Sequence, residues 1–193
     1  MVNTQEQRKI VIKVEESVEA MSGLLNSLLD ISKLDAGVVV PQIQDFNISA
    51  PLNRIEQNYR SLAAGKSIKF RIVPCDMIVR SDPVLFERIL VNFISNALRY
   101  TPSGGRILIG CRRRDGKLRI EVRDNGIGIP LDEQKNIFQE FVQLANKERD
   151  RSMGLGLGLA IVERLSRLLR HPIYLHSTLG KGAVFAIELP IAA

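Results

Sequence analysis

The 193 residues carry 27 Lys and Arg against 21 Asp and Glu, a formal net charge of +6, with 45% hydrophobic residues. That balance suits a globular domain with a real core and an appendage, and it excludes a disordered chain. There is no Trp, there are only three Tyr, and no basic run is interleaved with aromatics, which excludes a base-stacking platform for nucleic acid. The basic excess therefore points to a phosphate-bearing small ligand, to acidic protein partners, or to nothing in particular.

Residues 6–36 hold no Pro and one Gly, and Val14, Val18, Met21, Leu25 and Leu28 are spaced four, three, four, three. This is the seam of a long helix that packs on another helix. Gly37, Val38-Val39-Val40 and Pro41 end it. A one-sided stripe of that length needs cover, from the domain that follows or from a partner helix.

After Pro41 the composition turns to mixed helix and strand. Residues 45–49 predict a short strand and 51–64 a helix with Leu52, Ile55, Tyr59 and Leu62 on one side; 68–73 and 77–80 predict strands around Pro74. Asp82-Pro83 is an N-cap followed by proline at the first helical position. The helix it opens runs through Leu85, Ile89, Leu90, Phe93, Ile94 and Leu98 to Tyr100, and Thr101-Pro102 ends it. Residues 105–113 and 117–123 flank Asp115-Gly116, a hairpin signal.

Residues 131–141 predict a short helix carrying Phe138 and Phe141. Residues 142–153 are polar and unpatterned, and we expect a lid that is mobile until phosphates order it. An amphipathic helix is predicted over 159–169, with Arg164, Arg167 and Arg170 on a solvated face. The last strands, 171–177 and 183–189, are joined by Leu179-Gly180-Lys181-Gly182. No repeat at a fixed period is present. Cys75 and Cys111 lack metal-ligand spacing, Met1-Val2-Asn3-Thr4-Gln5 is no signal peptide, and no apolar run approaches a membrane span. A soluble, cytoplasmic location is expected, whether or not a longer parent is anchored in a membrane.

Three stretches carry chemistry. Asp124-Asn125-Gly126-Ile127-Gly128-Ile129-Pro130 follows the alternating segment 117–123. A carboxylate at a strand end with two glycines behind it brings backbone close to a flat ligand, and Asp124 can accept from an exocyclic amine such as adenine's. The competing reading is a turn capped by Asp. Asn92 and Asn96 are four apart, on one helix face near Arg99 and Tyr100. They read as buried amides needing partners, either structural or part of a ligand face, and an Asn oxygen suits Mg2+. Gly154-Leu155-Gly156-Leu157-Gly158 opens a helix, a place for phosphate oxygens, and Lys147, Arg149 and Arg151 precede it; no Walker pattern is present. His171 and His176 read as ordinary strand residues.

Taken together, these motifs resemble the C-terminal part of a sensor histidine kinase. Residues 28–37 resemble the end of the second helix of the dimerisation and phosphotransfer hairpin, and 92–101 the asparagine box. Asp124 to Pro130 is similar to the first glycine box, Phe138 to Phe141 to the phenylalanine box, Gly154 to Gly158 to the second glycine box, and 180–185 to the closing one. The resemblance implies an α+β fold: a two-layer α/β sandwich of the Bergerat ATP-binding type, its mixed sheet covered by helices on one face, preceded by a long N-terminal helix. Residues 1–40 would be the hairpin helix and linker, 41–193 the catalytic ATP-binding domain.

It also implies ATP and Mg2+ as cofactors. Asn96 would hold the metal, and Asn92 would reach phosphates or the metal's waters. Tyr100 would lie against the nucleotide, with Asp124 on the adenine amine and Gly126 and Gly128 beside the base. Gly154, Gly156 and Gly158 would line the phosphate side of the lid, with Arg149 or Arg151 on the phosphates. Arg99 stands where the family usually has Lys, Ala183 where it often has Thr or Ser, and Arg170 where a glycine commonly closes the helix. Implied partners are the hairpin bearing the phosphoacceptor histidine, a response-regulator receiver domain and, in the parent, a second copy. The acceptor belongs upstream of these residues, so we expect ATP binding without self-phosphorylation. Two other classes share the fold: gyrase or mismatch-repair type ATPases, which carry Glu where Asn92 stands as a base for water, and a scaffold that has lost catalysis.

Overall fold

The computed structural model describes residues 4–143 and 156–192. Helix α1 spans Thr4–Asp35. Its Val14, Val18, Met21 and Leu25 are exposed, whereas Ile31 is buried and Leu28 and Leu34 pack against the core. Only the last turns of the stripe therefore find cover within the chain.

Strand β1 (Gln44–Asn47) leads into α2 (Ser49–Gly65), and β2 (Lys69–Ile72) and β3 (Ile78–Ser81) follow. On α2 it is Ala63 that is buried; Leu62, expected on the inner side, is exposed. Leu52, Ile55 and Ala63 lie at spacings of three and eight, the helical face that Leu62 misses by one residue. Helix α3 (Pro83–Tyr100) starts as its sequence dictates: Asp82 Oδ1 accepts from the N–H groups of Val84 at 2.9 Å and Leu85 at 3.0 Å. The same carboxylate accepts from Gln42 N–H through Oδ2 at 2.8 Å, so one cap also ties down the linker after α1.

Strands β4 (Arg106–Arg114) and β5 (Lys117–Asp124) form the hairpin, with φ of 49° at Asp115 and 75° at Gly116, the left-handed pair that a two-residue turn requires. Helix α4 (Gly158–Leu169), β6 (Ile173–Thr178) and β7 (Gly182–Pro190) complete the chain. The main sheet has the order β2-β4-β5-β7-β6, with β2 and β4 parallel and every other pair antiparallel; β1 and β3 form a separate ribbon. Its inner face, Ile107, Ile109, Leu118, Ile120 and Val122, is buried with Ile89, Phe93 and Leu165 of the helices. Phe93 stacks on Phe185 at 5.2 Å between ring centres, worth about 1 kcal/mol beyond burial. The expected two-layer α/β sandwich is what the chain forms.

Two expectations fail in this frame. Residues 131–141 form turns and one 3-10 turn, Asn136–Phe138, and no α-helix. Bonds from Glu133, Asn136 and Gln139 N–H to carbonyls three residues back wind the segment too tightly for an α-helix. At its end Phe141 takes φ of 61° and donates its N–H to Gly156 O at 3.1 Å, turning the chain away. Nor is Arg164 solvated. Its guanidinium meets Asp35 at 2.7 and 3.1 Å and Glu140 at 2.5 Å, joining α4 to the end of α1. Arg170, standing where glycine would be unstrained, takes φ of 56° as the left-handed cap of α4, so the helix ends there regardless.

Candidate functional site

The Asp124 loop is built by backbone approach. Ile127 N–H donates to Tyr100 O at 3.2 Å and Gly180 N–H to Ile127 O at 2.7 Å, hanging the loop between the end of α3 and the β6–β7 turn. A Cβ on Gly126 would lie 2.3 Å from Tyr100 O, and one on Gly128, where φ is 70°, 2.1 Å from Thr178 O. Packing alone thus demands glycine at both positions. From the other side, Ser177 Oγ accepts from Ile129 N–H at 2.9 Å and donates to Gly182 O at 2.8 Å. Gln134 Nε2 bridges Ile129 O and Ser177 O at 3.0 Å each.

Within this cradle Asp124 is half-buried. Its Oδ1 accepts from Gly126 N–H at 2.8 Å and Ala183 N–H at 3.2 Å, while Oδ2 has no partner among the described residues. Burial pushes the carboxyl above its ordinary pKa, and the two N–H groups hold back part of that rise. One oxygen is fixed and the other is free, the arrangement of an acceptor held ready for a donor from outside the protein. Ala183, noted for its missing hydroxyl, serves here through its backbone N–H.

On α3, one helix face leads from Asn92 through Asn96 to Tyr100. Asn92 and Asn96, expected to be buried, are only half-buried. The inner side of α3 is filled by Phe86, Ile89, Leu90, Phe93 and Ile94, which leaves the amides at its margin. Asn92 Nδ2 donates to Arg88 O at 2.8 Å, and a Cβ on Gly158 would lie 2.6 Å from Asn92 Oδ1. The start of α4 is thus seated on Asn92. The side chains of Asn96, Arg99 and Tyr100 have no polar partner among the described residues. Gly156, with φ of 70°, has room only because it lacks a Cβ, which would lie 2.9 Å from Val142 O. Lys147, Arg149, Arg151 and Gly154, and most of the expected lid, lie outside the described residues.

The structure therefore brings Tyr100, Asp124, Gly126 and Gly128 into one cradle, and Asn92 and Gly158 into another on the same helix; Arg99 is exposed at the rim. Sequence reasoning placed Gly182 in the closing glycine box without a role, and it missed Gln134 and Ser177. Gly182, at φ of 91°, would set a Cβ 2.2 Å from Asp124 O, and Gln134 and Ser177 hold the loop from behind. Gln134 and Ser177 have no local signal, because their partners are far away in sequence. Thr101 Oγ1, beside Tyr100, is the one buried side-chain polar atom without a partner among the described residues. Among the described residues no group of His, Cys, Asp and Glu could hold a metal by itself, and no helix is long and apolar enough to cross a membrane. Of the two histidines, His171 is buried, its Nε2 2.8 Å from Ser81 Oγ, and His176 is exposed on β6.

A free carboxylate oxygen beside a glycine-built loop, with the unpartnered amide of Asn96 on the helix that ends at that loop, suits a nucleotide. Residues 81–193 match the family of histidine kinase-, DNA gyrase B- and HSP90-like ATPases, and the chain belongs to it. Its relatives are sensor histidine kinases. It is 31% identical over 191 residues to the circadian input-output histidine kinase CikA of Synechococcus elongatus, covering 97% of this chain and 25% of that protein. To the autoinducer 2 sensor kinase/phosphatase LuxQ of Vibrio vulnificus it is 35% identical over 199 residues, covering 98% of this chain and 23% of that one. The crystal structure of full-length ShkA in complex with AMPPNP superposes with a TM-score of 0.82 at 31% identity, covering 97% of this chain and 39% of ShkA. The Acinetobacter baumannii histidine kinase AdeS shares the fold, with a TM-score of 0.78 at 20% identity over 95% of this chain and 84% of AdeS. The chain spans about a quarter of the length of the full-length relatives CikA and LuxQ.

Proposed function

We propose that this chain binds ATP with Mg2+ and supplies the γ-phosphate to a histidine on a separate helical hairpin, as the catalytic part of a two-component kinase. The observation that carries this reading is Asp124, with Oδ1 held by two N–H groups and Oδ2 free. Adenine offers an amine to that oxygen where guanine offers a carbonyl, so the site selects the base. Tyr100, at the end of α3, lies against the nucleotide. Asn96 fits Mg2+, because a half-buried amide oxygen without a protein partner suits a hard cation that keeps most of its shell for water and phosphate. Asn96 would hold the metal, which would supply charge neutralisation during phosphoryl transfer. Arg99 adds a cation at the rim, and Gly156 and Gly158, with Gly154, Arg149 and Arg151, contact the phosphates.

Asn92 cannot take a proton from water, so hydrolysis is slow and the phosphoryl group waits for a placed nucleophile. Neither histidine of this chain serves: His171 is enclosed, and His176 lies on the sheet, away from α3. A receiver domain is the onward acceptor. The exposed stripe of α1 pairs with a second helix; light scattering that shows a monomer, with Leu25→Glu leaving stability unchanged, would refute that pairing.

The test is a calorimetric titration with ATP and GTP, with and without Mg2+. ATP is expected to bind more tightly, and Asp124→Asn to weaken it about tenfold or more, by setting an amide donor against the amine. Equal affinity for ATP and GTP would overturn the reading.

A further inference from the structure

The outer face of the main sheet, turned away from the helices and from the nucleotide loop, carries a charge that the proposed function does not use. The strand registers set Lys69 and Arg71 of β2 beside Arg106 and Leu108 of β4, and they place Arg112 and Arg114 further along the same strand. From β5 come Lys117, Arg119 and Arg123. Among the described strand residues of that face only Glu121 and Glu188 are acidic. Eight cations against two carboxylates leave an excess of six, equal to the +6 of the whole chain, whose other 19 Lys and Arg are matched by 19 Asp and Glu.

The two carboxylates do not relieve it. Both are buried at 7% exposure beneath the arginines. Glu121 meets Arg119 at 3.1 Å and also pairs with Arg123, while Glu188 accepts from Tyr174 Oη at 3.0 Å and meets Arg119 at 3.5 Å. Burial would raise Glu121, but the surrounding arginines pull its pKa below the ordinary carboxylate value. Arg119 also lies 4.4 Å over the Tyr174 ring. The guanidiniums of Arg119 and Arg123 are thereby held in position. Toward the hairpin tip Arg112 sits directly across from Arg119, and Arg114 from Lys117, and like charges directly opposite are destabilising. Arg112 and Arg114 remain 61% and 60% exposed, with only a 3.7 Å contact to Glu121 and a 3.6 Å contact to the tip residue Asp115. A sequence that keeps repelling pairs on an open strand keeps them for something outside the chain.

We propose that this face docks a partner protein presenting a row of carboxylates along one side of a helix. Alternate residues on a strand repeat every ~6.7 Å, and acidic residues four apart on a helix repeat every ~6 Å, so one helix laid along β4 matches Arg112 and Arg114 in turn. Guanidinium forks take carboxylates in pairs. An anionic lipid surface would not need cations spaced at a strand's repeat, which is why the protein partner is favoured.

The probe is a labelled helical peptide with Glu at every fourth position on one side, compared with a peptide of the same composition permuted around the helix. Each is titrated into the full chain by fluorescence anisotropy, with phosphatidylserine vesicles as a separate arm. The aligned peptide is expected to bind about tenfold more tightly than the permuted one, and Arg112→Glu with Arg114→Glu to remove about tenfold of that affinity. ATP affinity should be unchanged, as the control for folding. Arg112→Lys with Arg114→Lys should keep part of the binding. Equal binding of both peptides, indifference to charge reversal, or binding to the vesicles without the peptide would each overturn the proposal.

Discussion

Helix α3 is gripped toward its two ends by different physics. Near its start, Arg88 pairs with Asp30 of α1, a helix that is also tied to α4 through Arg164 and Asp35. At its end, Tyr100 O lies where any side chain on Gly126 would be. The first junction joins charges at the tips of long side chains to the packing of Leu28, Ile31 and Leu34 on the core; the second is backbone on backbone. Side-chain tips can let go and re-form elsewhere at little cost, whereas a backbone contact through glycine admits no added atom. The difference fits a domain that holds its nucleotide in one geometry and changes its hold on the helix beside it.

The sharpest way to break that contrast is at Gly128. Alanine there combines a left-handed φ of 70° with a Cβ 2.1 Å from a main-chain oxygen. The strain and overpacking together are expected to cost about 2–5 kcal/mol, read as a shift of the urea midpoint at constant slope, with nucleotide binding lost in step. A cost below about 1 kcal/mol would mean that the loop yields, and the two junctions would not differ in kind.

What the sequence discloses about these junctions is uneven, and the unevenness is physical. Short-range rules carried the cap at Asp82, the turn at Asp115-Gly116 and the strand alternation around Ile120, because each is settled by neighbours within a few residues. The candidate site residues on α3 and at Asp124 were legible as residue types at helical and turn spacing. Their surroundings were not: Arg164 reaches Asp35 across 129 positions, and Gly182 meets Asp124 only after β7 pairs with β5. Residues 131–141 misled for the same reason. Phe138 and Phe141 are spaced as on a helix, but the bond from Phe141 to Gly156 decides the backbone. Gly126 and Gly128 were singled out for nearness to a ligand, and the atoms they make room for in the structure are the protein's own.

A smaller effect tests a packing contact outside both junctions. His171 is buried with its Nε2 on Ser81 Oγ, joining the end of α4 to β3 beside the Asp82 cap. Burial lowers its pKa below the usual 6.5. The unfolded chain then binds the proton more readily than the folded one. The resulting stability is complete above the unfolded value and is lost as pH falls from about 6.5 toward the folded pKa. Denaturation between pH 7 and 5 is expected to show this as a slope of at most about 1.4 kcal/mol per pH unit. His171→Gln should flatten it, and an unchanged slope would remove His171 from the account.

The smallest expected effect on global stability, and the most direct test of the charged junction, is Arg164→Gln. The guanidinium holds Asp35 and Glu140 at once, and its bond to Asp35 lowers that carboxyl's pKa while raising that of Arg164. Asp35 is at the surface, where solvent and salt screen the pair, so the denaturation midpoint should barely move. The end of α1 should respond instead. Ile31 remains packed on the core, yet without Arg164 the last turn loses its tie to α4, and amide exchange over residues 32–37 should quicken while that of β5 and β7 stays as it was. Raising salt on the parent chain should reproduce the change in part. So should lowering the pH through the depressed pKa of Asp35, since a pair made by a lowered carboxylate is present above the ordinary carboxylate value and lost below its own. Exchange that quickens equally in β5 would mean that the helix and the sheet open together, and the charged junction would then be as rigid as the glycine one.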